Sequence, residues 1–363
     1  MKSHAGNLSP AASDFELMPL PPSVPALATA PDPQTRHTPT ALRRTCVMSL
    51  RSGLQSLRAG SAEPSWLGVT AGSTRLSAAI VQRAIDARPR VIALQTFDGE
   101  RSMQALAGWR RKRGNRGLRT NLLLNPNDYQ ILPIEAPEVA AEERAAAARW
   151  RIKDMIDFPA EDACVDCLLI PAAGGSVRSR QALAVVTRRD TVSQWMTRSR
   201  QSHLDLHAID IPELALRNLA ALLPGDGTNA LLHVGLDHTS LVLVWQGELC
   251  NSRRFDLGAK QILQANSAVR EQLVERLGLD VQRTADAFER QFHAAAVGAL
   301  WISQEKNSPL QAEELERFVA LHVKAFRLAE HLELDTDSPL VDPERGIDFV
   351  TAIGAALRQE PLQ

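Results

Sequence analysis

The feature that most limits how this chain can fold is a structural plan that occurs twice. From Trp66 the sequence reads WLGVTAGSTRLSAAIVQR. It has an apolar strand, a turn of Thr, Ala, Gly, Ser and Thr, and a second strand alternating through Leu76, Ala78 and Ile80. Two-residue alternation on either side of a small-residue turn is the mark of a hairpin, and VIALQTF at 91–97 supplies a third strand. In the second half NALLHVGL runs to another tight turn, SLVLVWQGELC returns as one strand, and SRRFDLG follows as the third. The same supersecondary unit at the head of each half points to internal duplication, beyond ordinary alternation of helix and strand.

Between the two hairpins the pattern is mixed α/β. A helix is expected from about Arg101 to Arg113, then a strand, an Asn-Pro-Asn-Asp turn and a strand over 120–137. A strong helix follows from about Glu138, stopped by Pro159, and CVDCLLIP reads as an apolar strand. QALAVVT is a strand, TVSQWMTRSRQSHL a helix, LDLHAID a strand, and PELALRNLAALL a helix with Pro212 in its first turn. PGDGTN at 224–229 is a break, the stretch 283–334 is expected to be largely helical, and GIDFVTAIGAALRQE is a small-residue helix.

The 363 residues suggest two to three globular units at roughly 100–200 residues each. Lys and Arg total 41 against 42 for Asp and Glu, which excludes the strongly basic balance of a dedicated nucleic-acid binder. Aromatic residues are only 4%, so aliphatic side chains and alanine must build the cores. Four cysteines, Cys46, Cys164, Cys167 and Cys250, make no disulfide framework and fit a reducing compartment. There is no run of 18 or more apolar residues, and MKSHAGNLSP lacks the apolar core of a secretory signal, so a cytoplasmic protein is expected. Residues 1–62 are expected to form a disordered tail, because eight prolines among the first forty residues neither sustain a helix nor bury a core. Within that tail, 41–60 carries Arg43, Arg44, Arg51 and Arg58 with no acid, and Leu50, Leu54 and Leu57 at helical spacing. Such a segment suits an anionic membrane surface or an acidic groove.

Other constellations have plainer readings. Cys164 and Cys167 sit in an expected strand with no second pair, so core packing is expected rather than zinc or redox chemistry. His203 and His207 flank alternating leucines and are expected to be exposed or half-buried side chains, not metal ligands. Arg110, Arg111, Lys112, Arg113, Arg116 and Arg119 form the densest basic run, at the end of a helix, whose dipole favours cations there. No aromatic stacking residues accompany it, so no nucleic acid is expected. Gly174-Gly175 lacks the Lys-Ser/Thr of a P-loop and reads as a loop.

Taken in order, Trp66–Gln82, ARWRIKDMIDFPAEDACVDCLLIP, IDIPELALRNLAALL, LLHVGLDHTSLVLVWQGELCNSRRFDLG and FVTAIGAALR resemble the PilM-like actin-fold proteins of type IV pilus assembly. Among these the resemblance is to the MshI branch associated with the MSHA (mannose-sensitive haemagglutinin) pilus. It implies an α/β, two-lobed actin-like ATPase fold of duplicated RNase H-like domains, as in FtsA, Hsp70 and sugar kinases. The first lobe would span 63–223 with a small inserted subdomain at about 137–205. The second would span 224–345, and 346–363 would form a helix packing back on the first. Nucleotide, if retained, would meet Thr70, Gly72, Ser73 and Thr74 in one lobe and Gly235, Asp237 and Thr239 in the other. Active relatives carry an Asp before each glycine turn, where this chain has Thr70 and His233. Threonine carries no charge, and a neutral imidazole is a poor ligand for Mg²⁺. The Gly-Gly pair that cups adenosine is also absent from 306–345. The resemblance thus implies a degenerate ATPase with no catalytic residues and no metal, in which ATP and Mg²⁺ are not expected as cofactors. Its role would be that of a scaffold, peripheral at the inner membrane, gripping the cytoplasmic tail of a PilN/MshJ-like single-pass partner. Candidate lining residues are Trp150, Ile152, Met155, Ile156 and Phe158. The rival readings are an active enzyme of the same fold using Ser73, Thr74 and Asp237, and a GspL-like protein of type II secretion, which a membrane span should follow.

Overall fold

The computed structural model describes residues 65–358 except 73, 84–86, 115–117, 172–180, 226, 293–295, 305–307, 335–339 and 341–342, and at 343–345 and 348 the backbone alone. The tail 1–62, Ser73, Arg116 and Gly174-Gly175 therefore lie outside the described residues.

The first lobe is built on β1 (Ser65–Ala71), β2 (Arg75–Gln82) and β3 (Arg90–Asp98), an antiparallel meander followed by α1 (Ser102–Lys112) and β4 (Arg119–Leu123). After β4 the chain leaves the sheet through β5 (Tyr129–Glu135), α2 (Arg144–Arg151), β6 (Ala163–Leu169), β7 (Gln181–Arg188) and α3 (Arg189–Gln201), and returns at β8 (Asp205–Asp210). The five-stranded sheet has the order β3-β2-β1-β4-β8, with β1, β4 and β8 parallel. Trp66, Leu67 and Val69 of the central β1 are all buried, the continuous apolar run of a strand covered on both faces. The excursion forms a second, three-stranded sheet, β5-β7-β6. Residue alternation divides its two faces: Ala182, Ala184 and Val186 of β7 pack with Ala148 and Ile152 under α2, while Leu183 and Val185 join the main core.

α4 (Pro212–Ala220) leads into the second lobe: β9 (Thr228–Val234), β10 (Thr239–Trp245), β11 (Glu248–Phe255), α5 (Ala259–Gln264), α6 (Ser267–Gln291), β12 (Val297–Ser303), α7 (Ala312–Glu316), β13 (Val323–Phe326), α8 (Leu328–His331) and finally α9 (Pro343–Ala356). The sheet order β11-β10-β9-β12-β13, with β9, β12 and β13 parallel, repeats that of the first lobe strand for strand. α9 packs on β1, and any side chain at Gly68 would overlap the Ala352 carbonyl oxygen. α4 meets α9 where Leu123, Ala215 and Ala355 pack together.

Several sequence expectations change. The stretch 283–334 contains β12 and β13 as well as helix, and these two short strands complete the second sheet. The helix expected from Glu138 to Pro159 is confined to α2, after one 3₁₀ turn at Ala141–Glu143. Past Ile152 the chain turns, which lets Ile156 and Phe158 reach the small sheet, and Pro159 disfavours helix at Phe158. SLVLVWQGELC is two strands: Gln246 (φ 52) and Gly247 (φ 77) form a two-residue turn of the left-handed kind that matches strand twist. The small sheet begins at Tyr129, ahead of the expected boundary near 137, because β5 is the partner that β7 needs. The closing helix starts at Pro343, a turn earlier than 346.

Candidate functional site

The β1–β2 and β9–β10 turns are built alike. The Gly72 N–H donates to the Arg75 carbonyl at 2.8 Å, and the Gly235 N–H donates to the His238 carbonyl at 2.9 Å. α9 lies between them. Thr351 shares a 2.9 Å hydroxyl–hydroxyl hydrogen bond with Thr70, while Ile347 and Val350, on the same helical face, line a cavity with His233 and Val234. Ser303, Gln304 and Leu310 close the other side of that cavity. Its volume of about 20 Å³ has room for one water, against the several hundred Å³ of a typical small-molecule site.

His233 lies near the end of β9, two residues before Gly235 of the second turn. It is 7% exposed, and its Nδ1 has no hydrogen-bond partner among the described residues. Burial pushes its pKa down to about 3, with a smaller contribution from His238. The ring is therefore a neutral imidazole at ordinary pH, with no negative charge to offer a cation. His238 is lowered too, by burial and then by the Arg254 guanidinium. Thr239 is fully buried and donates its hydroxyl proton to the Leu257 carbonyl at 2.6 Å, so it serves the turn. Asp237 points to solvent and pairs with Lys260 at 2.7 Å. Gly72 and Thr74 are exposed at the tip of the first turn. The structure thus brings Thr70, His233 and α9 together, and leaves Asp237 and Thr239 engaged elsewhere.

The five candidate partner-binding residues do not share a face. Ile152 is completely buried under α2, and Ile156 and Phe158 are half-buried against the small sheet. The Arg188 guanidinium lies 4.2 Å from the Phe158 ring centroid. Trp150 is 73% exposed and Met155 48%, and Val139 is exposed on the same subdomain. Cys164 and Cys167 are buried thiols in β6, and burial pushes Cys167 up to about 11, which makes it a packing group. Among the described residues there is no cluster that could hold a metal, and no helix is long and apolar enough to cross a membrane.

Sequence reasoning did not single out the polar links between lobes. Tyr129, at the start of β5, donates its hydroxyl to the Glu213 carboxylate of α4. Arg254 of β11 donates to Tyr129 Oη at 3.1 Å, to Glu213 Oε1 at 3.2 Å and to the Pro126 carbonyl at 2.8 Å. Arg358, just past α9, pairs with Asp210 at 3.0 Å, both nearly buried. One signal was present: Tyr129 is the chain's one tyrosine.

Two duplicated five-stranded sheets, each opening on a glycine hairpin and joined through crossing helices, define an actin-like fold. No family model and no curated protein matches the chain. Among solved structures it is similar to the PilM-PilN type IV pilus biogenesis complex, with a TM-score of 0.60 at 19% identity over 80% of this chain and 97% of that one. It is more distantly similar to the cytoplasmic domain of EpsL, an inner-membrane component of the Vibrio cholerae type II secretion system (TM-score 0.42, 14% identity, 79% and 95% covered). It is also distantly similar to the ethanolamine utilization protein EutJ of Carboxydothermus hydrogenoformans (TM-score 0.43, 12% identity, 81% and 89% covered). At 19% identity the likeness to the PilM-PilN structure shows the fold alone.

Proposed function

We propose that this chain is a non-enzymatic adaptor of a type IV pilus assembly platform, of the MSHA kind, working on the cytoplasmic side of the inner membrane. It would hold the tail of a PilN-like or MshJ-like single-pass membrane protein on its first lobe. The observation that carries the reading is the pair Trp150 and Met155, large apolar side chains left in solvent on a small subdomain whose own core is complete without them. Singly exposed apolar residues need no explanation, but a tryptophan this exposed is the kind of anchor on which binding energy concentrates. An edge strand of the small sheet, β5 or β6, could take an extended peptide by strand addition. The PilM-PilN structure supports a partner of that class. The neutral, buried His233 and the water-sized cavity support the non-enzymatic part.

The test is calorimetric titration of the full chain with a synthetic peptide copying the cytoplasmic tail of the membrane protein encoded beside it. Binding should depend little on salt. Trp150→Ala should weaken it about tenfold or more, equivalent to at least about 1.4 kcal/mol, without moving the melting temperature. No binding of the peptide at any salt concentration overturns the adaptor reading. Separately, MgATP binding with a dissociation constant in the low micromolar range, about −8 kcal/mol, overturns the degenerate-site reading.

A further inference from the structure

The end of the first sheet opposite the interlobe turns gathers cations that the adaptor reading leaves unused. Here β1, β4 and β8 all begin, with Trp66 opposite Arg119 and Arg119 opposite Asp205. α1 and α3 both finish here as well. Arg110 Nη2 donates to the His203 carbonyl at 2.5 Å, which joins the last turn of α1 to the turn after α3. Arg111, Lys112 and Arg113, together with Arg119 and Arg200, are thereby exposed at one end of the lobe. None of these five forms an ion pair among the described residues. Asp205, the carboxylate these same chain ends carry, acts on the buried Arg110.

The aromatic rings beneath are covered. Trp66 is 4% and Trp109 9% exposed, with Arg119 5.5 Å and Arg113 4.7 Å from the respective ring centroids. Among the described residues both tryptophans at this end are covered by cations, and the rings left exposed are the small imidazoles of His203 and His207 rather than a broad stacking platform. What remains is diffuse positive charge on short chain ends, the complement of a sheet of lipid phosphates.

We propose that this end of the first lobe is an electrostatic contact for the anionic phospholipid surface of a bilayer. The contact is independent of the peptide site on the small subdomain, so either proposal can fail alone.

The test is sedimentation of the full chain with vesicles of phosphatidylglycerol mixed into phosphatidylcholine, and with phosphatidylcholine alone. The chain should sediment with the first only and be released by salt. The variant Arg111→Gln, Lys112→Gln, Arg113→Gln, its fold checked by melting temperature, should partition about 100-fold less well, at about fivefold per charge. A second full-length variant, Arg43→Gln, Arg44→Gln, Arg51→Gln, Arg58→Gln, leaves this end of the lobe unchanged and should still sediment with the anionic vesicles; its complete loss of binding overturns the proposal. Equal binding to both vesicle types, undiminished binding by the first variant, or binding to a DNA duplex but to neither vesicle overturns the proposal.

Discussion

Arg254→Met should loosen the two lobes, and the size of the effect follows from what the guanidinium touches. It links β11 of the second lobe to Glu213, Tyr129 and the Pro126 carbonyl, all contributed from outside that lobe's sheet. Methionine keeps most of the volume and removes the charge, leaving the Glu213 carboxylate, 5% exposed, with only the Tyr129 hydroxyl. Breaking a buried ion pair by removing one partner costs about 3–5 kcal/mol. Because the Arg254 side chain is 30% exposed, solvent screens the pair and the lower end, about 3 kcal/mol, applies. At about 2 °C per kcal/mol for a chain of this size, scanning calorimetry should show a melting temperature lower by about 6 °C. Adding Glu213→Gln removes the stranded charge while keeping an acceptor for Tyr129, so the double variant should recover to within about 1 kcal/mol of the parent. A single variant within about 1 °C of the parent, or a double variant whose loss is the sum of the two singles, would refute the assignment of this contact as an interlobe latch.

Two further predictions concern the cleft and its helix. The folded pKa of His233, about 3, lies below the ordinary histidine value, so only the unfolded chain takes up this proton as pH falls from about 6.5. Its contribution is therefore full above about pH 6.5 and lost toward pH 3, at up to about 1.4 kcal/mol per pH unit; denaturation midpoints should fall less steeply over that window in His233→Asn, and parallel pH profiles would contradict the burial. Gly68→Ala sets a methyl against the Ala352 carbonyl of α9, and overpacking against backbone should cost about 3 kcal/mol; a melting temperature unchanged by the substitution would show that α9 does not seat on β1.

The hairpins at Trp66 and Ala230 were legible because alternation and small-residue turns are local properties, encoded within about ten residues. The shared sheet order was only half legible. In β12, VGALWIS has the apolar character of a strand, but it follows the 25-residue α6, and its pairing partner β9 lies some seventy residues back in the chain. Nothing local distinguishes such a strand from a buried helical segment. The group 150–158 shows the same limit from the other side. The apolar types were visible, yet helical spacing could not tell that the chain turns after Ile152, burying that side chain while Trp150 stays in water.

By itself the sequence determined the chemistry available at each position: an uncharged Thr70 and an imidazole at 233 ahead of the two glycine turns, and a tyrosine, an acid and an arginine at 129, 213 and 254. Only the tertiary structure decided what those groups do. Desolvation at 233, and the meeting of residues 84 and 41 positions apart in the latch, depend on how two sheets and two crossing helices pack. Burial and proximity across such separations are set by the whole fold, because the field and the solvent around a side chain come from neighbours that the local sequence does not name.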